Sequence, residues 1–285
     1  MCKANEKNNM SVDEKSIEQA LEEKWKNATI ANNFIFYKVM RNNPDVCKEL
    51  LEILLKIKID HIEMKSEETV EVDYGKKGIR MDVYAVGANK AFDLEMQASD
   101  KGDLPERARY YQGILDVQEL YAGEDYRTLK DSYVIFICIP DIFGKGLAKY
   151  TFENTCIENQ EIKLNDRTYK LFFIANNYDK MLDERQKSFL KLVISNCNYD
   201  AKTDSFTEKI KRLVEEAKFN SQWRKQFMEW EREMAYKFRE GEANARREAA
   251  IELLKEDISP EIIAKCEKLP LEEVLELQKQ ITVTA

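Results

Sequence analysis

From Tyr133 to Ile139 the chain reads Tyr-Val-Ile-Phe-Ile-Cys-Ile, a strand-length run without a charged residue. A strand of that kind is buried on both faces, which calls for helices on either side of a sheet rather than a sheet with one face in water. Lys170 to Ala175 reads as another strand. Between Glu68 and Gln97 the apolar period falls to two. Thr69 to Asp73, Ile79 to Val86 and Lys90 to Gln97 then read as successive strands, split by Gly75-Lys-Lys-Gly78 and Gly87-Ala-Asn89. Helical patterns interleave with them. Asn43 can cap and Pro44 can open a helix in which Val46, Leu50, Leu51, Leu54 and Ile57 recur at helical spacing, and Pro105 to Leu120 is a further helical segment. The chain is expected to be α/β, with one mixed sheet flanked by helices.

Three regions are expected along the 285 residues. Residues 1–28 form a polar N-terminal segment with a helix from Ser16 to Asn27, and residues 29–205 form the core. Residues 206–285 form a helical C-terminal region, continuing a helical pattern that runs from Asp183 to Glu256. Ser259-Pro260-Glu261 and Pro270-Leu-Glu-Glu273 are two helix starts, giving a small helix-turn-helix-like hairpin at the end. Trp223, Phe227, Trp230 and Met234 recur at spacings of four and three, a packing seam that also suits a homo-oligomeric contact through the long helix.

Composition narrows the chemistry. With 44% hydrophobic and 10% aromatic residues the chain is too apolar to be disordered, although 34% of it is charged. No run approaches the ~18 apolar residues of a membrane span, and Met1 to Lys15 has no apolar signal core, so a cytoplasmic protein is expected. Six cysteines without a Cys-x-x-Cys pair suggest neither a zinc ribbon nor a disulfide framework, and read as reduced structural thiols. The single histidine, His61, excludes a His-ligated metal cluster and reads as the end of an element. Acid and base work therefore falls to carboxylates, Lys or Tyr. A net charge of −8 argues against a surface that grips nucleic acid everywhere, but leaves room for a local basic patch.

In Lys90-Ala-Phe-Asp-Leu-Glu-Met-Gln97, strand alternation puts Asp93, Glu95 and Gln97 on one face and Phe92, Leu94 and Met96 on the other. In Arg80-Met-Asp-Val-Tyr84, Asp82 shares a face with Arg80 and Tyr84, so a hairpin between the two strands brings Asp82 beside Glu95. Two carboxylates that converge in a half-buried sheet repel unless a hard divalent cation neutralises them, and Mg²⁺ suits one or two carboxylates plus water. An exposed strand face carrying solvated acids is the alternative.

The stretches Lys77-Gly-Ile-Arg-Met-Asp-Val-Tyr84, Phe92-Asp-Leu-Glu-Met-Gln97 and Leu104-Pro-Glu-Arg-Ala-Arg-Tyr-Tyr-Gln112 resemble, in order and spacing, the PD-(D/E)XK nuclease family transposases, or recombination-promoting nucleases. The resemblance continues through Tyr133-Val-Ile-Phe-Ile-Cys138 and Tyr150-Thr-Phe152 to the Ser-Pro-Glu tail. It implies a restriction-endonuclease-like core in which Asp82 and Glu95 hold Mg²⁺, with Mn²⁺ as a substitute. Asp82, Glu95 and Gln97 are then the catalytic set, Gln97 standing where a Lys is usual and offering hydrogen bonds to water in place of a charge.

Arg107 and Tyr111 lie four apart on a helix, as do Ala108 and Gln112. That helix either presents Arg107, Arg109 and Gln112 to DNA or is packed by its tyrosines with its arginines solvated. Lys77 and Arg80, just ahead of Asp82, are expected to touch DNA phosphates. Together the residues and the resemblance imply a metal-dependent DNA endonuclease associated with recombination or mobile elements. The alternative is a catalytically weakened nuclease fold acting as a DNA- or protein-binding module.

Overall fold

The computed structural model describes residues 12–65, 82–100, 102–195 and 204–284. The expected strand at Thr69 to Asp73 and the start of that at Ile79 lie outside these residues, as do Lys77 and Arg80. Helix α1 (Val12–Lys26) is followed by α2 (Asn33–Asn42) and α3 (Pro44–Leu55). Helix α2, which the sequence analysis does not mark, buries Phe34, Ile35, Phe36, Tyr37, Val39 and Met40. Its start is fixed by Asn32, whose side-chain oxygen accepts from the backbone N–H groups of Phe34 at 3.1 Å and Ile35 at 3.2 Å. Asn32→Ala leaves those donors unmet and is expected to lower stability by about 1 kcal/mol in urea denaturation. As anticipated, Pro44 opens α3.

Six strands form one mixed sheet: β1 (Glu63–Met64), β2 (Val83–Val86), β3 (Lys90–Gln97), β4 (Asp131–Cys138), β5 (Lys149–Phe152) and β6 (Thr168–Ile174). Their spatial order is β1-β2-β3-β4-β6-β5. The outer pairs are antiparallel, whereas β3 with β4 and β4 with β6 are parallel. A parallel neighbour needs a crossover, and α4 (Leu104–Glu119) supplies it between β3 and β4. The β2–β3 hairpin closes through Gly87, whose N–H donates to the Lys90 carbonyl at 2.8 Å.

Helix α4 covers one sheet face, where Leu104, Ala108, Tyr111 and Leu115 pack on Val134, Phe136, Phe172 and Ile174. On the opposite face Phe92, Tyr133 and Tyr169 stack across three strands, with centroids 5.4 and 4.8 Å apart. The two central strands are therefore buried on both sides, as the run from Tyr133 requires.

After β6 come α5 (Glu184–Ile194), α6 (Ser205–Lys218) and α7 (Ser221–Lys255), then α8 (Pro260–Glu267) and α9 (Leu271–Thr284). The chain divides into two compact units, Glu23–Trp223 and Met1–Glu22 with Arg224–Ala285. Helix α6 belongs with the sheet unit because it buries Phe206, Ile210, Val214 and Ala217, and because Trp25 donates to the Lys218 carbonyl at 3.1 Å. In the other unit α8 and α9 pack as a hairpin on the end of α7 through Leu254, Ile263 and Val274. No helix among the described residues is long and apolar enough to cross a membrane.

Cys47 and Cys138 are buried free thiols, pushed up to about 12 by burial, which leaves them unreactive at neutral pH.

Candidate active site

The β2–β3 register pairs Val83 with Leu94 and Tyr84 with Asp93, so Asp82, one residue earlier, comes beside Glu95. Two hydrogen bonds lock the pair: the Asp82 N–H donates to Glu95 Oε1 at 2.8 Å, and the Met96 N–H donates to Asp82 Oδ2 at 3.1 Å. Each carboxylate is thus held by the other strand's backbone, a geometry that two facing acids cannot reach by side-chain packing alone.

The acidic face is not solvated. Alternation holds, with Asp93, Glu95 and Gln97 on one side of β3, but that side lies under α4, and the three residues are 0%, 3% and 7% exposed. Asp93 is the residue that spacing underrates. Both of its carboxylate oxygens are buried, and among the described residues the group beside them is the carboxyl of Glu95. Burial first, and the Asp82 charge second, push the carboxyls of Asp93 and Glu95 well above the usual range. The signal was present in the Asp-x-Glu spacing; what it lacked was the helix that closes over it.

Arg107 brings a positive charge into this acidic cluster. Gly102, at φ 73°, takes a left-handed turn that leads β3 into α4, and its N–H donates to Asp100 Oδ1 at 2.7 Å. One turn into α4, Arg107 reaches back over the strand. Its guanidinium donates to Glu95 Oε2 at 3.2 Å, Gln97 Oε1 at 3.0 Å and the Tyr111 hydroxyl at 3.2 Å. It also lies 5.4 and 5.5 Å from the ring centres of Tyr111 and Phe136.

The Gln97 amide is engaged at both ends, since its Nε2 donates to the Ser99 carbonyl. Gln97 therefore positions Arg107 rather than facing open water, and the cation that a Lys on β3 would bring comes instead from the neighbouring helix.

The remaining expected contacts separate. Arg109 is exposed, with no hydrogen bond or ion pair among the described residues. Gln112, expected at DNA, is 6% exposed and donates to Ser132 Oγ, so it ties α4 to β4 and has no path to a ligand. His61 is exposed ahead of β1.

Among the described residues Arg107 is the cation that faces these acids, and a divalent cation would relieve the repulsion that holds the carboxyls of Asp93 and Glu95 above the usual range. Among the described residues no three His, Cys, Asp or Glu side chains are grouped to hold an ion. The donors brought together are the pair Asp82 and Glu95, and two carboxylates completed by water is the hydrated coordination that Mg²⁺ favours.

A family model described as PD-(D/E)XK nuclease family transposase matches residues 31–240, from just before α2 into α7. No curated protein and no solved structure matches the chain.

Proposed function

Because the chain belongs to the PD-(D/E)XK nuclease family transposases, we propose that it is a metal-dependent DNA endonuclease acting in recombination or on mobile elements. The observation that carries this reading is the convergence of Asp82 and Glu95, locked by reciprocal backbone hydrogen bonds, beside the fully buried Asp93. Acids concentrated under a helix that carries Arg107 suit chemistry in which a cation is bound and phosphate charge is handled.

Asp82 and Glu95 would hold Mg²⁺ or Mn²⁺, and a bound ion of this kind supplies an activated water and neutralises charge on a phosphate oxygen. The side chains do the rest. Arg107, steadied by Gln97 and Tyr111, sets the orientation of Glu95 and offers a fixed positive charge beside the acids. The peptide N–H groups of Asp82 and Met96 hold the two carboxylates in place without using a mobile side chain.

Purified protein is expected to nick or cut supercoiled plasmid DNA in Mg²⁺ or Mn²⁺. Asp82→Asn should lower that rate by more than the roughly 10- to 100-fold that loss of an outer-shell partner costs, with Mg²⁺ uptake lost in calorimetry. Equal cleavage by both proteins would sink the assignment.

A second reading has its own support. Both oxygens of Glu95 and both ends of the Gln97 amide are engaged within the protein. A fold so satisfied suits a weakened nuclease that binds DNA or protein without turnover. DNA binding in the absence of both metal uptake and cleavage would favour it.

A further inference from the structure

The register extends the site across the sheet. On the face covered by α4, Glu95 is followed by Phe136, Phe172 and Tyr150, and Asp93 by Val134, Lys170 and Phe152. Acids occupy one end of these rows; rings and a cation occupy the other. At about 4.8 Å between strands, Lys170 lies roughly 10 Å and Phe152 roughly 14 Å from Asp93.

Helix α4 covers the middle of the rows, and beyond it a groove of about 540 Å³ opens between Pro105, Ala108 and Arg109 on the helix and Phe143, Phe152 and Phe172. That volume is ample for a planar ring system and its sugar. The three rings form one cluster, with centroids 5.1 to 5.7 Å apart, yet Phe152 remains 43% exposed. Its ring is offered to the groove rather than consumed by the core.

Charge on the rim favours an anion. Arg109 has no partner among the described residues, and Lys170 lies across the groove from it, with Asp116 close enough to sense its charge. Among the described residues the acid lining the groove is Glu153, which is paired with Lys163 at 2.9 Å. Asp166, just outside, accepts from Asn154 and Thr168.

We propose that this groove takes an unpaired nucleobase of the DNA, stacked on Phe152, with its flanking phosphates held by Arg109 and Lys170. The inference rests on the nuclease reading and deepens it. Substrate is gripped on both flanks of the first turns of α4, by the acids with Arg107 on one side and by the base pocket on the other. Duplex with a single unpaired or extruded base becomes the preferred substrate class, since a ring–base stack and two cations are gained only when a base leaves the helix.

The test uses the full chain and three oligonucleotides: an intact duplex, the same duplex with one unpaired 2-aminopurine, and the single strand. Binding is followed by anisotropy in metal-free buffer. Wild type should prefer the unpaired and single-stranded forms and should quench 2-aminopurine. Phe152→Ala should lose about 5- to 150-fold on those two forms, the range of one base–aromatic stack, with little change on intact duplex. Arg109→Gln, at an exposed position where folding is not at stake, should weaken binding and reduce the salt slope by about one. Equal affinities of wild type for all three DNAs, or an unchanged preference in Phe152→Ala, would overturn the pocket while leaving the nuclease reading intact; the first is also what a groove built for an apolar peptide would give. No binding to any of the DNAs by wild type would overturn both.

Discussion

Arg107→Ala is expected to lower plasmid cleavage by about 10²- to 10³-fold, comparable to deleting one preorganised donor from an active site. The expectation follows from what surrounds the guanidinium: Glu95 and Gln97 on β3, Tyr111 on its own helix, and the Asp93 carboxyl beneath. The carboxyls of Asp93 and Glu95 already ionise above their usual range through burial and the Asp82 charge, and the Arg107 charge is what partly restrains that rise. Removing it moves both further up. The ascending limb of the pH–rate profile at fixed Mg²⁺ should therefore shift to higher pH in Arg107→Ala, and Arg107→Lys should recover part of the rate. A carboxyl with a raised folded-state value contributes stability below its unfolded value and loses it as pH climbs through the folded one. The metal-free protein should thus weaken toward alkaline pH, and the variant more so. An unchanged profile together with an unchanged rate would remove Arg107 from the site.

Phe136→Ala is expected to cost about 3–5 kcal/mol in chemical denaturation, the range for truncating a fully buried Phe. Phe136 is 0% exposed and sits mid-sheet, in register with Glu95 on one side and Phe172 on the other. Its ring lies 5.3 Å from that of Phe172 and 6.3 Å from that of Tyr111, so the cavity would open beneath both α4 and the Arg107 seat. Cleavage should fall with stability, and Phe136→Leu should restore much of both. A loss below about 1 kcal/mol would mean that α4 is held by something other than this stack.

Several features were legible because they are local. Lys90 to Gln97 forms β3 over the residues its alternation marks, and Pro44 opens α3. The apolar run at Tyr133 became the central strand β4. The partners of α6 are not legible in its own pattern, since Phe206 meets the ring of Phe189 and the Lys218 carbonyl accepts from Trp25, 193 residues away. Gln112 shows the limit most plainly. Its place four residues after Ala108 gives it a face, and Ser132 on β4 makes that face interior.

The order of residues was enough to put Asp93, Glu95 and Gln97 on one side of a strand and Asp82 on the next, because pleat and hairpin register depend on near neighbours alone. Tertiary structure decided that this side is buried, that Arg107 rather than Gln97 supplies the charge, and that rings and cations continue the same rows beyond α4. The reason is that burial and electrostatics are set by whatever segment folds over a strand, and the crossover that brings α4 above β3 and β4 joins residues whose separation along the chain carries no local signature.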